Sequence, residues 1–143
     1  MTRALLDDHL LRDVLAEDLS ADLRRVLADH EPATTSLYLY RLCRSVVSAR
    51  GGALTGSWDV EQRRALGARL VTLPDSFEVV PIRALAFRMA QIADAHRVST
   101  LGAEAVAAAE HLEAPLCVWE GDDGPGLRAA ATAVRGDYRT IRR

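Results

Sequence analysis

The sequence contains no lysine and no asparagine, so all 18 of its basic residues are arginine. A GC-rich coding sequence accounts for such a bias, and we give it no functional weight. Long hydrophobic runs are also missing, because no stretch approaches the roughly 18 consecutive apolar residues that span a bilayer. A signal peptide needs an uncharged apolar run, whereas the first fifteen residues include Asp7, Asp8, Arg12 and Asp13. These absences predict a cytoplasmic protein that makes no contact with a membrane.

Cysteine is scarce as well. Cys43 and Cys117 lie far apart inside apolar segments, a pattern that predicts buried reduced thiols rather than a disulfide framework or a structural zinc site. The formal net charge is −2, so the chain has no overall basic field of the kind that drives non-specific nucleic-acid binding. Any RNA contact would be local, and the one basic cluster that offers phosphate contacts is Arg135, Arg139, Arg142 and Arg143.

The remaining composition is that of a folded chain. With 143 residues, 49% hydrophobic and 27% charged, it predicts a single domain over residues 1–143. Apolar segments typical of strands alternate with segments of helical spacing. The predicted strands are Arg3–Leu6, Ala33–Thr35, Phe77–Val80, Pro115–Trp119 and Tyr138–Ile141. Strands separated by helices pair in parallel through right-handed crossovers, which predicts an α/β fold, a three-layer α/β/α sandwich with a central parallel sheet.

The predicted helices begin and end at recognisable signals. One helix ends at His30, Glu31 and Pro32, and the next runs from Ser36 until Gly51-Gly52 interrupts it. A further helix starts at Asp59, and Ser99 or Thr100 caps an alanine-rich helix. Alanine side chains allow that last helix to pack closely against its neighbours.

Acidic residues follow two of the predicted strands. Asp7 and Asp8 come after the first strand, and Glu120, Asp122 and Asp123 come after the fourth. Open parallel sheets bind ligands beyond the carboxyl ends of their strands, where the strand order reverses. If the order reverses between these two strands, the acids face one crevice and are able to hold Mg²⁺ or Mn²⁺ for phosphodiester hydrolysis. Solvated turns and helix N-caps are the alternative interpretation of such acids.

Three segments resemble the PIN domain, the fold of VapC-type toxin ribonucleases. The opening Ala4-Leu5-Leu6-Asp7 is similar to the first strand of that family, which ends in an acidic metal ligand. Residues 33–46 are similar to its second strand and the helix that normally offers a glutamate. Residues 98–120 are similar to its helix with a serine, two residues and an aspartate, followed by a strand that ends in threonine-x-aspartate. The resemblance covers nearly the whole chain.

The resemblance implies a sheet of order 3-2-1-4-5, with the reversal between the strands that bear Asp7 and Glu120. It also implies a metal-dependent endoribonuclease, a homodimer and an antitoxin-like or regulatory protein partner. The helices of Asp18–His30 and Ser36–Arg50 are the implied surfaces for self-association.

The four acids that PIN nucleases typically use fall here on Asp7, Arg41, Gly102 and Glu120, of which only two are acidic. At an effective dielectric constant of 20, a guanidinium about 5 Å from a divalent cation is repelled by roughly 7 kcal/mol, more than one carboxylate ligand contributes. Arg41 therefore competes with a metal ion. It is expected either to pair with Asp7, replacing the charge of the metal, or to point to solvent.

These observations leave two functional hypotheses. The first is a PIN-like protein that has lost catalysis and acts by binding a protein or RNA in a regulatory or structural role. The alternative is a VapC-like Mg²⁺-dependent endoribonuclease with Asp7 and Glu120 as catalytic residues and Asp7, Glu120 and Asp122 as weak ligands for one ion. His9, His30, His96 and His111 lack ligand spacing and are expected at the surface.

Overall fold

The structure is a computed structural model that describes residues 2–48 and 52–143. Five parallel strands form one sheet with the order β3-β2-β1-β4-β5. Both the predicted fold class and the strand order are confirmed. The strands are β1 (Thr2–Leu6), β2 (His30–Thr35), β3 (Glu78–Val80), β4 (Leu116–Trp119) and β5 (Tyr138–Ile141).

Eight helices connect these strands within the described residues. They are α1 (Asp8–Leu15), α2 (Ala21–Asp29), α3 (Ser36–Val47), α4 (Gly52–Thr55), α5 (Val60–Val71), α6 (Ala86–Ala95), α7 (Thr100–Leu112) and α8 (Pro125–Ala133). None of the described helices has both the length and the apolar character needed to cross a membrane.

Side-chain alternation along β1 divides the core into two faces. Leu5 packs with α6, α7 and α8, while Ala4 and Leu6 pack on the opposite side with Leu10 of α1 and Leu23 of α2. Successive residues of a strand point to opposite faces of its sheet, and in a parallel sheet both faces are covered. The chain is therefore a three-layer sandwich. A third apolar cluster joins α1 to α3, α4 and α5 beside the sheet.

Local signals set the helix ends. Thr35, Asp59 and Ser99 accept hydrogen bonds from backbone N–H groups of the first turns of α3, α5 and α7, as N-caps do. The cap of α3 is thus one residue before the predicted Ser36. That helix ends at Val47, and the predicted break at Gly51 lies outside the described residues.

Strand β2 starts earlier than predicted, because His30, Glu31 and Pro32 pair with β1 instead of ending the preceding helix as a turn. Proline has no N–H to donate and is tolerated in a strand where one edge is unpaired. Strand β3 pairs with β2 only from Ala33 onward, so Pro32 lies where β2 has a partner on one side. This register explains how a proline fits near the middle of the sheet.

Candidate functional site

Strands β1 and β4 are adjacent, yet their following helices lie on different faces, so a crevice opens between their carboxyl ends. Asp7 lies at this point, directly after β1. Its Oδ1 accepts a hydrogen bond from the N–H of Leu10 at 2.9 Å, which caps α1, and its Oδ2 accepts one from the N–H of Trp119 at 2.9 Å. Asp7 therefore ties the end of β1 to the end of β4.

Burial dominates the electrostatics of Asp7. It raises the pKa of the carboxyl group to about 7, although the hydrogen bonds from Leu10 and Trp119 act in the opposite direction. The negative charge of Asp8 raises this pKa further, and His9 lowers it. Loss of water destabilises the charged form of a carboxylate, which is why a buried aspartate holds its proton at higher pH.

Asp8 is also buried, in the first turn of α1. Its Oδ1 accepts a hydrogen bond from the N–H of His9 at 3.0 Å, and its Oδ2 lies 3.2 Å from Nη1 of Arg41. Arg41 was expected either to pair with Asp7 or to point to solvent. The structure instead pairs it with Asp8, with the arginine side chain 51% exposed.

His9 does not lie at the surface, so that prediction is wrong. The residue is only 5% exposed, and its ring packs on Trp119 with centroids 4.5 Å apart. Its Nδ1 is 2.7 Å from Oδ2 of Asp122 and 3.3 Å from Oδ1 of Asp8. Burial lowers the pKa of His9, but contact with Asp8 and the charges of Asp122, Asp8 and Asp7 outweigh it, so the net pKa is raised.

The acids after β4 separate into different environments. A short 3₁₀ turn spans Glu120–Asp122, and it places Asp122 beside His9 while Glu120 is exposed. Asp7, Asp8, His9 and Asp122 offer ligand atoms that all lie within 4.8 Å of one another. Glu120 lies outside this group, and its charge acts on Arg142. Asp123 binds Arg128 and Tyr138 instead.

A pocket of about 290 Å³ opens onto this acidic group. Its lining includes Asp7, Asp8, Arg41, Gly102 and Asp122. Three of the four positions carried over from the resemblance thus meet in one place, although only one of the three is an acid. Gly102 is in the first turn of α7, where its N–H donates to the Ser99 side chain. The buried residue Tyr38 also lines the pocket, and burial raises its pKa well above the usual value.

Sequence reasoning missed His9, and it placed Asp8 at the crevice without including it among the named metal ligands. A signal was present, since the run Asp7-Asp8-His9 places three ligand-type side chains at the junction of a strand and a helix. The contribution of His9 depends on Trp119, which is distant in sequence and reaches it only through the pairing of β1 with β4.

This chain is similar to a known protein in its fold and not in its sequence family. No family model and no curated protein matches it. A solved structure described as a toxin-antitoxin complex from Klebsiella pneumoniae is similar, with a TM-score of 0.56 and 16% sequence identity. The match covers 86% of this chain and 91% of the other chain. The chain thus has a fold found in a toxin-antitoxin complex.

Proposed function

We propose that this protein is a PIN-like member of a toxin-antitoxin type system that acts by binding a partner protein and does not cleave RNA. The observation that carries this proposal is the ion pair between Arg41 and Asp8 inside the acidic pocket. A guanidinium there supplies the positive charge that a magnesium ion would otherwise supply. The two cations repel each other strongly at short range, so both cannot occupy the pocket together.

The rest of the pocket supports the same conclusion. Two-metal hydrolysis needs enough carboxylates to hold two cations about 3.5–4 Å apart. Gly102 contributes no side chain, Glu120 lies outside the group, and each oxygen of Asp7 accepts a backbone hydrogen bond. These contacts give Asp7 a structural role in joining β1, β4 and α1. A fold retains its core when its catalytic residues change, since the two depend on different side chains.

A protein is a better candidate ligand than RNA. The C-terminal arginines that would contact phosphate are mostly engaged inside the chain, because Arg139 pairs with Asp137, Arg142 with Asp22 and Arg143 with Asp13. The similar solved structure is described as a complex of a toxin with an antitoxin. An antitoxin-like partner for this chain is part of the proposal.

The catalytic half of the proposal is tested with labelled RNA and either Mg²⁺ or Mn²⁺. The full chain is compared with Asp7→Asn and with Asp123→Asn, a matched control whose carboxylate faces Arg128 and Tyr138. We expect the same background cleavage from all three proteins. Metal-dependent cleavage that Asp7→Asn loses and Asp123→Asn keeps would overturn the proposal.

The binding half is tested by co-expression with the product of a neighbouring gene. We expect a stoichiometric complex that survives size-exclusion chromatography, with its mass measured by light scattering. A chain that elutes without any such product, from every neighbouring gene tested, contradicts a toxin-antitoxin arrangement.

The second candidate is an endoribonuclease that uses one metal ion. The close grouping of donors from Asp7, Asp8, His9 and Asp122 favours it, because a single bound cation is able to activate water for attack on phosphorus. The cleavage assay decides between the two candidates.

A further inference from the structure

We infer that Asp8, His9 and Asp122 form a binding site for a single first-row transition-metal cation such as Mn²⁺, Co²⁺ or Zn²⁺. This ligand set differs from the two-magnesium arrangement that the resemblance implies, and Glu120 has no part in it. The inference concerns the same pocket as the proposed function, but cation binding is measured without RNA or a partner protein, so its failure is distinguishable from a failure of the proposed function.

The first argument is the incomplete hydrogen bonding of the buried donors. Nδ1 of His9 and Oδ2 of Asp8 are shielded from solvent, and neither forms an aligned hydrogen bond within the described residues. Both residues are more than nine-tenths buried. Each atom has an ion-pair contact, Nδ1 of His9 with Asp122 and Oδ2 of Asp8 with Arg41, but neither contact is an aligned hydrogen bond. Because a buried polar atom is fully stabilised only by a well-aligned partner, a ligand that binds both atoms is favourable.

The second argument is the spacing of these donors. Nδ1 of His9 has Oδ2 of Asp122 at 2.7 Å and Oδ1 of Asp8 at 3.3 Å, the same Asp8 oxygen that accepts from the N–H of His9. An N–H group points at one acceptor at a time, whereas a metal ion binds several donors at once. Donors bound to one cation at 2.0–2.2 Å with angles near 90–109° lie about 3.0–3.5 Å from each other. The separation of 3.3 Å lies in this range, the separation of 2.7 Å is shorter by a few tenths of an ångström, and all the donor atoms lie within 4.8 Å of one another.

The third argument is the chemistry of the donors. Two carboxylates supply a charge of about −2, which balances a divalent cation. Imidazole is a common ligand for zinc and related transition metals, while Mg²⁺ prefers oxygen donors and retains its water. The contact with Trp119 restricts the ring of His9, so the nitrogen is held in place before the cation arrives.

Arg41 competes with the cation. Its guanidinium pairs with Oδ2 of Asp8, but the side chain is half exposed and has room to move into solvent. A cation therefore binds at Asp8 only when the guanidinium of Arg41 moves away from it. Replacement of Arg41 by a neutral residue removes this competition and is expected to strengthen binding.

Isothermal titration calorimetry of the full chain with Mn²⁺, Co²⁺ and Mg²⁺ tests the site, with Co²⁺ binding also followed by its visible absorption. The informative variant is Asp122→Asn, because this side chain is 43% exposed and its loss leaves the core unchanged. Asp123→Asn and Glu120→Gln are matched controls, since both are neighbouring acids outside the ligand set. Arg41→Gln tests the competition.

We expect one Mn²⁺ or Co²⁺ per chain, with binding of Mg²⁺ at least tenfold weaker. Asp122→Asn should weaken Mn²⁺ binding at least tenfold, the two control variants should leave it within about twofold, and Arg41→Gln should strengthen it about tenfold. The inference is overturned if the wild-type chain binds neither Mn²⁺ nor Co²⁺ at millimolar concentration. It is also overturned if Glu120→Gln abolishes binding while Asp122→Asn retains it.

Discussion

Buried charge is concentrated at a few residues of this molecule. Besides Asp7 and Asp8, Arg12 and Asp13 of α1 are almost fully buried, as is Glu104 of α7. Arg12 donates to Asp13 and to the carbonyl oxygen of Leu54, and Arg143 donates to Asp13 from the other side. Buried charges persist in proteins when they are paired and hydrogen-bonded, and this network meets both conditions.

Glu104 is less completely satisfied. Its Oε1 accepts a hydrogen bond from the N–H of Leu37 at the start of α3, while its Oε2 has no hydrogen-bond partner within residues 2–48 and 52–143. An acceptor near a helix N-terminus is favourable because the first N–H groups lack intrahelical partners. Glu104 thus links α7 to α3, the helix that carries Arg41.

We expect Glu104→Ala to lower the free energy of unfolding by about 2–4 kcal/mol, because it leaves a cavity and an unpaired N–H group. Glu104→Gln keeps an acceptor for Leu37 and should cost less than half as much. Urea denaturation followed by circular dichroism measures both. Equal losses for the two variants would show that the contact with Leu37 does not matter.

A second prediction concerns Arg41 and Gly102, the two positions at which the PIN pattern has an acid and this chain does not. A Cβ atom at Gly102 would lie 3.4 Å from Val98 and 3.5 Å from Leu127, so an aspartate is accommodated with at most a small adjustment. We expect the double variant Arg41→Glu/Gly102→Asp to bind Mg²⁺ at least tenfold more tightly than wild type, since it replaces a positive charge with two negative ones. Calorimetry measures the change, and an unchanged affinity would contradict our assignment of Arg41 as the competing cation.

At the scale of elements, α3 contributes to the pocket and also exposes two large apolar side chains on its outer face. Tyr40 and Val47 are exposed at 58% and 85%, and a separation of seven residues places them on the same side of the helix. This helix belongs to a surface expected from the resemblance to mediate self-association, although Arg50 at its predicted end lies outside the described residues. Dimerisation through α3 stays a prediction.

We expect the double variant Tyr40→Glu/Val47→Glu to shift a wild-type dimer to monomer, since charge on an apolar contact surface disfavours its burial. Val71→Glu is the matched control, because Val71 is equally exposed but lies at the end of α5. Light scattering coupled to size-exclusion chromatography measures the mass. A variant that stays dimeric, or a control that dissociates, contradicts this interface.

Helices α6 and α7 are joined by a bidentate ion pair, with Nε and Nη2 of Arg88 at 2.7 and 2.9 Å from the two oxygens of Glu110. Hydrogen bonding to Arg88 lowers the pKa of Glu110, so the pair stabilises the fold above the ordinary pKa of 4.5 and is lost as pH falls through the lowered value. Both side chains are more than one-third exposed, which limits the contribution to about 0.5 kcal/mol.

We therefore expect Arg88→Gln to lower the free energy of unfolding by about 0.5 kcal/mol at pH 7 and by close to nothing at the acid end of the stability curve. Chemical denaturation across this pH range measures the difference between variant and wild type. If Arg88→Gln lowers the free energy of unfolding equally at acid pH, Arg88 stabilises the fold by packing instead of by charge.

At the scale of the whole molecule, the alternation of strands and helices was sufficient to predict a parallel three-layer sandwich. The order of the strands came from the resemblance, and the structure confirms it. The position of Asp7 directly after β1 was predicted correctly, because the end of a strand is recognisable from neighbouring residues in the sequence. The burial of His9 was not predictable from spacing, since it depends on Trp119 across the crevice. That Asp122, and not Glu120, lies beside His9 depends on the 3₁₀ turn over these residues, which has no clear signal in the sequence.

The number of divalent cations that the folded chain retains tests our central claim most directly. Native mass spectrometry of the full chain, titrated with Mn²⁺, measures this number at each concentration. The pairing of Arg41 with Asp8 and the absence of a side chain at Gly102 predict no more than one bound ion. Two ions bound together at the acidic pocket, both lost in Asp7→Asn, would contradict it.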